Sequence, residues 1–350
     1  MHMTIDGVPI GRDYPPFIIA EVSANHNGSL DRARDILAAI KGCGAQAAKI
    51  QTFTADSLTI DCNSPEFLID DGIWKGRTLF DLYREAAMPL EWNKLLFEEA
   101  RRLSLTIFSS PFDHAAVDLL EDLNAPAYKI ASFEAVDLPL IRYAASTGKP
   151  LIISTGMASA EEIGEAIASA REGGCEQLAI LHCVSGYPAP ASDYHLRTLP
   201  DMSEKFGVVT GLSDHTLDNS TAIASVALGA SIIEKHVTLD RNGGGPDDSF
   251  SLEPPELSRL CRDALTAWQA LGSINYQKKS SEVGNVQFRR SLYFVKDLKQ
   301  GELITPDAIR SIRPGFGISP KHQDQVVGSY VTTDIARGTA VQFSHFQASE

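Results

Sequence analysis

Eight short apolar segments of this chain end in residues that can act as acids, bases or ligands. In chain order they are FIIAE, AAKIQ, LTIFSS, AYKIAS, LIISTG, LAILHC, VVTGLSD and SIIEKH. Their ends supply a carboxylate, two lysines, hydroxyls and two histidines: Glu21, Lys49, Ser110, Lys129, Ser132, Ser154, Ser213, His215 and His236. Carboxylates and imidazoles transfer protons, lysines bind anions, and two imidazoles can hold a divalent metal. This set of residues favours an enzyme over a binding module.

The order of these segments predicts the fold that positions their ends. Most are followed by a helical pattern, and strands that alternate with helices predict a parallel sheet. Eight such units close into a (β/α)8 TIM barrel, whose active site lies at the carboxyl ends of the strands. Cap and stop residues predict helices over residues 29–42, 113–123, 159–173, 218–229 and 255–272, beginning at Ser29, Asp113, Ser159, Asp218 and Pro255.

The second crossover is unusually long, because residues 52–90 separate the second strand from a helix near residues 91–103. Insertions of this length above a barrel strand usually shape a substrate site.

Charge and composition restrict the partners of this 350-residue chain. Its net charge of −14 and pI of about 5.1 argue against binding to nucleic acid or to an anionic membrane. Local lysines can still form a positive pocket for an anionic substrate. No apolar run approaches the ~20 residues of a membrane span, and the amino terminus lacks a signal-peptide pattern. The five cysteines lack metal-finger or redox spacing, so we expect reduced thiols in a cytoplasmic protein.

The pattern changes after Gly272, which divides the chain into a barrel domain over residues 1–272, a polar linker over 273–288 and a compact tail over 289–350. The tail is rich in strand signals. KDLKQGELIT predicts a turn between strands, and DIARGTAVQF looks like a second copy of the same motif. A core of about 60 residues is marginal by itself, so we expect the tail to dock on another surface.

Motifs at every strand end resemble those of the sialic acid synthase family. In order they are EVSANHNGSLDRA (21–33), KIQTFTADSLT (49–59), SSPFD (109–113), YKIASFE (128–134), STGMA (154–158), HCVSGYPAP (182–190), GLSDHT (211–216), EKHVTLD (234–240) and GPDDSFSLEP (245–254). The tail resembles the family's antifreeze-like (SAF) domain through RRSLY (289–293) and IRPGFGISP (312–320). The resemblance runs from about residue 15 to 346 and implies a TIM barrel with a small β-rich SAF domain.

Two departures resemble the pseudaminic acid synthase branch of the family. The sialic acid branch has Glu-Ile-Gly-x-Asn-His at the first strand, whereas this chain has Glu-Val-Ser-Ala-Asn-His at 21–26. It also has Gly-Phe-Gly at 315–317, where the sialic acid branch has Asn in the middle. The branch condenses phosphoenolpyruvate with a 2,4-diacetamido-2,4,6-trideoxy-altrose, so the resemblance implies a C–C bond-forming transferase.

The resemblance also implies a role for each candidate residue. Glu21 matches the catalytic carboxylate, and His215 and His236 match the ligands of a divalent metal, Mn²⁺ or Mg²⁺. Positions that match phosphoenolpyruvate contacts are Lys49, Ser110, Lys129, Ser132, Ser154, Ser185 and Ser213. Positions that match sugar contacts are Gln51, Glu134, Tyr187, Asp247 and Arg313. Ser185 departs from the sialic acid branch, which has Asn there. Arg313 matches an arginine that the tail delivers to the partner's active site in a domain-swapped homodimer.

Other interpretations remain open from the residues alone. A strand-end histidine is often an ordinary hydrogen-bonded side chain, and strand-end serines often serve turns. A salt bridge to Lys49 is an alternative role for Glu21, and a Schiff base is a rival role for a buried lysine. Arg313 could be a solvated surface charge. Alternative functions are N-acetylneuraminate or legionaminic acid synthesis, a metal-dependent aldolase, and a sugar-binding protein without catalysis.

Overall fold

The computed structural model describes residues 1–347, which separate into two compact units, Met1–Gly272 and a second that begins at Ser273. The first unit opens with an antiparallel hairpin that no sequence pattern predicted, β1 (His2–Ile5) and β2 (Val8–Gly11). Its Met3, Ile5 and Ile10 pack with residues at the starts of barrel strands, including Phe17 and Ala47. The hairpin therefore covers the amino-terminal end of the barrel and leaves the carboxyl ends of the strands free for a site.

All eight apolar segments form strands of one closed parallel barrel within residues 17–236, as predicted. The strands are β3 (Phe17–Glu21), β4 (Ala47–Thr52), β5 (Thr106–Pro111), β6 (Tyr128–Ile130), β7 (Leu151–Ser154), β8 (Leu178–Cys183), β9 (Val209–Ser213) and β10 (Ile232–His236). Strand β10 pairs with β3 and closes the ring. Apolar side chains between the strands and the surrounding helices form the larger core.

Eight helices within residues 30–271 follow the strands: α1 (Leu30–Cys43), α4 (Leu90–Leu103), α5 (His114–Asp122), α6 (Leu138–Ser146), α7 (Ala160–Glu172), α8 (Thr198–Phe206), α9 (Ser220–Ala227) and α10 (Pro254–Leu271). The long second crossover adds two short helices, α2 (Ala55–Leu58) and α3 (Leu79–Ala86). Across residues 1–347, no helix is both long and apolar enough to cross a bilayer.

Three of the five predicted helix starts are confirmed by their caps. The side chains of Ser29, Asp113 and Ser159 each accept a hydrogen bond from a backbone N–H three residues on, as N-caps do.

The other two predicted starts were displaced. Helix α9 begins at Ser220 rather than Asp218, because the Asp218 carboxylate accepts from the Ser220 N–H at 2.7 Å and ends the preceding turn. Helix α10 begins at Pro254, one residue early, behind a capping box of Glu253 and Glu256.

Strand register places the predicted chemistry on neighbouring positions. Glu21 at the end of β3 is opposite Lys49 on β4 and His236 on β10. Gln51 on β4 is opposite Ser110 on β5. Because parallel strands present their carboxyl ends at the same rim, residues far apart in sequence meet there.

The second unit contains β11 (Ser291–Phe294), β12 (Ile309–Ile312), α11 (Gln323–Val326), β13 (Tyr330–Val331) and β14 (Phe346–Gln347). Residues 273–288, predicted as a linker, are mostly exposed and end in 3-10 turns over Ser280–Phe288. Residues 348–350 of the predicted tail domain lie outside the described residues.

The two copies of the tail motif pair with each other, which confirms the internal repeat. Leu298 and Ile335 exchange both backbone hydrogen bonds, at 2.9 and 2.8 Å. The Asp297 carboxylate accepts from the Arg337 N–H at 2.7 Å, and Asp334 accepts from the Gln300 N–H at 2.9 Å. These reciprocal contacts relate equivalent positions of the repeat by approximate two-fold symmetry.

Candidate active site

A cavity of about 370 Å³ lies at the carboxyl ends of the barrel strands. Eleven residues singled out in the sequence line it: Lys49, Gln51, Lys129, Ser132, Glu134, Ser154, Tyr187, Ser213, His215, His236 and Asp247. Glu21, Ser110 and Ser185 do not line it but contact or lie close to residues that do. Arg313 belongs to the second unit, where it is exposed.

Two lysines and two carboxylates form a buried charge cluster in the cavity wall. Lys49 Nζ lies 2.9 Å from Glu21 Oε2 and 3.2 Å from Glu234 Oε1. Lys129 Nζ lies 3.3 Å from the same Glu234 oxygen. Two neighbouring buried lysines need an anion to balance their charge, and Glu234 is one that the protein itself provides.

The cluster shifts the proton affinities of its members. Complete burial raises the pKa of Glu21 above its usual range, although the neighbouring Lys49 opposes the change. Burial alone would lower the pKa of Lys49, but the carboxylates of Glu21 and Glu234 raise it, so this ammonium stays charged. Burial lowers the pKa of Lys129, against the pull of Glu234. Lys49 is thus a fixed cation, whereas an anionic ligand would add to the stabilisation of Lys129.

His215 and His236 face the cavity as a pair, with ring centroids 5.3 Å apart. His215 Nδ1 is 2.8 Å from the Val184 carbonyl oxygen, to which it donates in its neutral form. His236 Nδ1 is buried with no hydrogen-bond partner within residues 1–347, and Asp247 Oδ2 is 3.8 Å away. Burial and the nearby cationic groups hold the pKa of His236 well below its usual range, which keeps the imidazole neutral.

These features fit a divalent metal. The carbonyl bond to His215 Nδ1 leaves Nε2 as the free lone pair, an arrangement common in metal-ligating histidines. His236 Nδ1, which has no hydrogen-bond partner in the described residues, offers a second lone pair for a metal. Within residues 1–347 no group of three or more His, Cys, Asp or Glu is arranged for a metal. The pair therefore suits an open site that completes its coordination with water and substrate, rather than a closed structural zinc site.

Strand-end hydroxyls surround the lysines. Lys49 Nζ donates to Ser110 Oγ at 3.2 Å, so Ser110 already has a partner beneath the cavity lining. Ser154 Oγ and Ser185 Oγ are buried without a hydrogen-bond partner in the described chain. A Cβ added at Gly156 would collide with the hydroxyls of Ser185 and Ser132, so this glycine leaves room for both. Unpartnered hydroxyls beside buried lysines are suited to an anionic ligand.

A series of hydrogen bonds links Glu21 to Asp247 through Gln51 and Ser23. Gln51 Nε2 donates to Glu21 Oε1 at 3.1 Å and to Ser23 Oγ at 3.0 Å. Ser23 Oγ in turn donates to Asp247 Oδ2 at 2.5 Å. Tyr187 lies over the histidine pair, with its ring 4.4 Å from that of His215. These hydrogen bonds hold Gln51, Ser23 and Asp247 in fixed orientations on the cavity surface.

Sequence reasoning missed two members of the site, Glu234 and Ser23. The signal for Glu234 was available, because side chains two apart on a strand share a face, and Glu234 stands two before His236. Ser23 was hidden in the loop after β3, where its φ of 45° turns the chain toward Asp247.

Comparisons with known proteins agree with this site. The NeuB family model matches residues 36–276, and the SAF domain model matches residues 289–347. A pseudaminic acid synthase from Helicobacter pylori is 39% identical over 336 residues, which cover 96% of this chain and 99% of the relative. One from Campylobacter jejuni is 40% identical over 335 residues, with 96% and 98% covered.

A solved structure provides a third comparison. The N-acetylneuraminic acid synthetase of Leptospira borgpetersenii, in complex with citrate, matches with a TM-score of 0.73 at 29% identity. The match covers 83% of this chain and 96% of that chain.

Proposed function

This chain belongs to the NeuB family, and on that premise we propose that it is a pseudaminic acid synthase. It condenses phosphoenolpyruvate with 2,4-diacetamido-2,4,6-trideoxy-L-altrose to give pseudaminic acid and phosphate. The observation that carries the assignment is 39% identity to a pseudaminic acid synthase over 96% of this chain. The charge cluster and the histidine pair give the cavity the groups that this chemistry needs.

The reaction forms a C–C bond and a C–O bond to water, and it breaks the C–O bond to phosphate. C3 of phosphoenolpyruvate attacks the aldehyde carbon of the open-chain sugar, and C2 becomes cationic, like an oxocarbenium ion. The aldehyde oxygen becomes an alkoxide, which takes up a proton to give the hydroxyl of the product. Water adds to C2, loses a proton, and the tetrahedral intermediate expels phosphate by C–O cleavage. The enzyme must therefore balance phosphate charge, stabilise the cation at C2 and accept a proton from water.

Lys49 and Lys129 balance the charge of phosphoenolpyruvate, and the hydroxyls of Ser132, Ser154 and Ser213 donate to its oxygens. Glu21, held between Lys49 and Gln51, stabilises the charge at C2 and takes the proton of the added water. A carboxylate whose pKa is raised by burial is a better base in its ionised form than a free one.

The sugar end of the cavity belongs to Gln51, Glu134, Tyr187 and Asp247 in this proposal. His215 and His236 would hold Mn²⁺ or Mg²⁺ through ring nitrogens, Nε2 of His215 and Nδ1 of His236. A metal there supplies Lewis-acid polarisation of the sugar aldehyde.

We also propose a domain-swapped homodimer, in which Arg313 of each tail reaches the partner's site. Residues 1–272 carry 21 Lys and Arg against 38 Asp and Glu, whereas residues 273–350 carry 10 against 7. This opposite charge favours contact between a tail and the barrel of a second copy. Ile274 and Tyr276 of the linker are 93% and 99% exposed, and Phe133 and Met157 in loops after barrel strands are also exposed. Large apolar groups exposed in these places support burial by a partner.

We further assign the protein to the cytoplasm, which is consistent with five free cysteines.

Phosphate release distinguishes this function from its alternatives. Purified enzyme with Mn²⁺ is given phosphoenolpyruvate and, in turn, the altrose derivative, N-acetylmannosamine and the 2,4-diacetamido mannose isomer that would give legionaminic acid. The altrose derivative should give the highest kcat/KM, with pseudaminic acid identified by mass spectrometry and comparison with an authentic standard. Preferred turnover of another sugar would reassign the substrate, and product without phosphate release would indicate an aldolase.

A further inference from the structure

Part of the cavity has no role in the chemistry described so far, because it is lined by apolar side chains of the long second crossover. We call this part the insertion wall and define it by Phe53, Ile69, Trp74, Leu79, Tyr83 and the nearby Phe112 that follows β5. Apart from the Tyr83 hydroxyl and the Trp74 indole N–H, these side chains present only carbon to a ligand. They face the same space as the lysines and histidines, so a substrate that fills the cavity contacts them.

Aromatic packing forms the insertion wall before any ligand binds. Phe53 is 4% exposed, and its ring centroid is 5.2 Å from that of Phe112 and 6.4 Å from that of Tyr83, both edge-on. Such T-shaped contacts are favourable and directional. Trp74 donates its indole N–H to the Pro246 carbonyl at 3.0 Å, which ties the crossover to the loop that carries Asp247. The wall is therefore a fixed surface whose indole N–H is already satisfied.

Glu134 contributes an unpaired hydrogen-bond acceptor to the cavity. Its Oε2 is buried and has no hydrogen-bond partner within residues 1–347. Burial raises the pKa of Glu134 to about 7, and its charge adds to the burial that raises the pKa of Tyr83. Glu134 and Tyr83 line the same cavity, so the carboxyl and the wall face one ligand space. A fixed apolar surface with a nearby acceptor complements an amide N–H and a methyl group better than a set of hydroxyls.

We propose that the insertion wall is the specificity-determining surface for a methyl group of the acceptor sugar. This inference rests on the proposed function, because the altrose derivative carries methyl groups at C6 and in its two acetamido groups. The carbon surface of Phe53, Ile69, Leu79 and Phe112 offers no hydrogen-bond partner, so a hydroxyl or ammonium placed against it instead of the methyl would lose its water without compensation. One small group in an apolar pocket changes kcat/KM by about 10- to 200-fold.

Two altered acceptors identify the methyl group concerned. The altrose derivative is compared with its 6-hydroxy analogue and with its 4-amino analogue, which lacks the acetyl group. Steady-state phosphate release gives kcat and KM for each. A loss of at least about 10-fold in kcat/KM with the 6-hydroxy analogue would place the C6 methyl on the wall. An equal loss with the 4-amino analogue would place the 4-acetamido group there.

Variants test whether the wall itself causes the selection. Ile69→Thr keeps a β-branched side chain and adds a hydroxyl to the wall. The ratio of kcat/KM for the methylated sugar to kcat/KM for its analogue should therefore fall by at least about 5-fold, which is within the range of a single apolar contact. Leu68→Thr is the matched control, because Leu68 is its exposed neighbour and does not line the cavity. The Leu68→Thr variant should have the same kcat/KM ratio between the methylated sugar and its analogue as the wild type.

The outcomes separate this inference from the proposed function. Turnover of the altrose derivative with equal kcat/KM for both analogues would overturn the role of the wall while leaving the synthase assignment intact. No turnover of any of the three sugars would overturn the assignment and the inference with it. A wild-type enzyme with no preference for either methyl-bearing group overturns the inference even if Ile69→Thr is unstable.

Discussion

Lys49 and Glu21 form a buried ion pair, with Nζ 2.9 Å from Oε2 and side-chain exposures of 4% and 0%. The salt bridge that the sequence left as an alternative role for Glu21 is therefore present. It does not compete with catalysis, because Lys49 lines the cavity and couples Glu21 electrostatically to anything bound there. In the low dielectric of the barrel interior, each charge sets the protonation of the other.

Replacing Glu21 by Gln should lower kcat by at least about 100-fold, the scale for one general acid–base group. The variant keeps the shape of the side chain but removes the charge next to Lys49. Phosphoenolpyruvate should still bind, which calorimetry with the substrate alone would measure. Exposed Glu165→Gln on α7 is the control and should keep wild-type kcat. A kcat near that of the wild type in Glu21→Gln would restrict the carboxylate to a structural role.

Removing divalent metal should abolish turnover, and adding Mn²⁺ or Mg²⁺ should restore it. His236→Ala should bind Mn²⁺ more weakly, by about 10-fold or more, because one of two protein donors is lost. Electron paramagnetic resonance of free Mn²⁺ measures this affinity without turnover. His114→Ala, at an exposed histidine on α5, should bind metal as the wild type does. Full activity in metal-stripped enzyme would exclude the role of the pair.

Mixing two inactive variants tests the exchange of tails between subunits. In a heterodimer of Glu21→Gln and Arg313→Ala, one site would carry both defects and the other none. Up to about half of the sites in each heterodimer should then regain wild-type turnover, since closed dimers have equivalent interfaces. Each variant mixed with itself is the control. No recovery, despite subunit exchange seen by native mass spectrometry, would contradict the swapped arrangement.

Glu134 should make the stability of the protein depend on pH. Burial raises its pKa from 4.5 to about 7, so the folded state holds a proton that the unfolded state has released between these values. Its stabilising effect is fully present below pH 4.5 and is lost as pH rises through 7. Relative to the wild type, Glu134→Gln should therefore gain up to about 3 kcal/mol of unfolding free energy between pH 4.5 and 8.

Urea unfolding at several pH values measures this difference directly. Exposed Glu161→Gln is the control and should show no pH-dependent gain. Parallel pH profiles for the wild type and Glu134→Gln would mean that the Glu134 carboxyl has the same proton affinity in both states.

Lys235 should stabilise the loop that carries His215. Its Nζ lies 2.8 Å from Asp214 Oδ2 and donates to the carbonyl oxygens of Thr216 and Asp218 at 2.7 and 2.8 Å. Lys235→Met leaves the Asp214 carboxylate buried without a cation and should cost about 3–5 kcal/mol. Thermal unfolding measures the loss. Adding Asp214→Asn should recover part of it, and a double variant no more stable than Lys235→Met would show that the pair is not the cause.

The amino-acid sequence by itself determined the barrel and the rim on which its chemistry lies. Eight apolar segments, each ending in a functional group, predicted strands that all occur, because buried parallel strands need apolar runs and their carboxyl ends share one rim. Ser29, Asp113 and Ser159 predicted helix starts, since an N-cap depends on local hydrogen bonds that the sequence specifies. The repeated motif of the tail was also predicted, because turn residues recur at equivalent positions of the two copies.

Tertiary structure alone decided which groups touch. The contact of Glu234 with both Lys49 and Lys129 depends on how β10 lies across the barrel from β6, and no local pattern contains that distance. The amino-terminal hairpin was missed because two four-residue strands carry little periodic signal, and their burial comes from the barrel beneath them. The insertion wall is likewise assembled from residues up to 59 positions apart, so its apolar surface appears only when the crossover folds over the cavity.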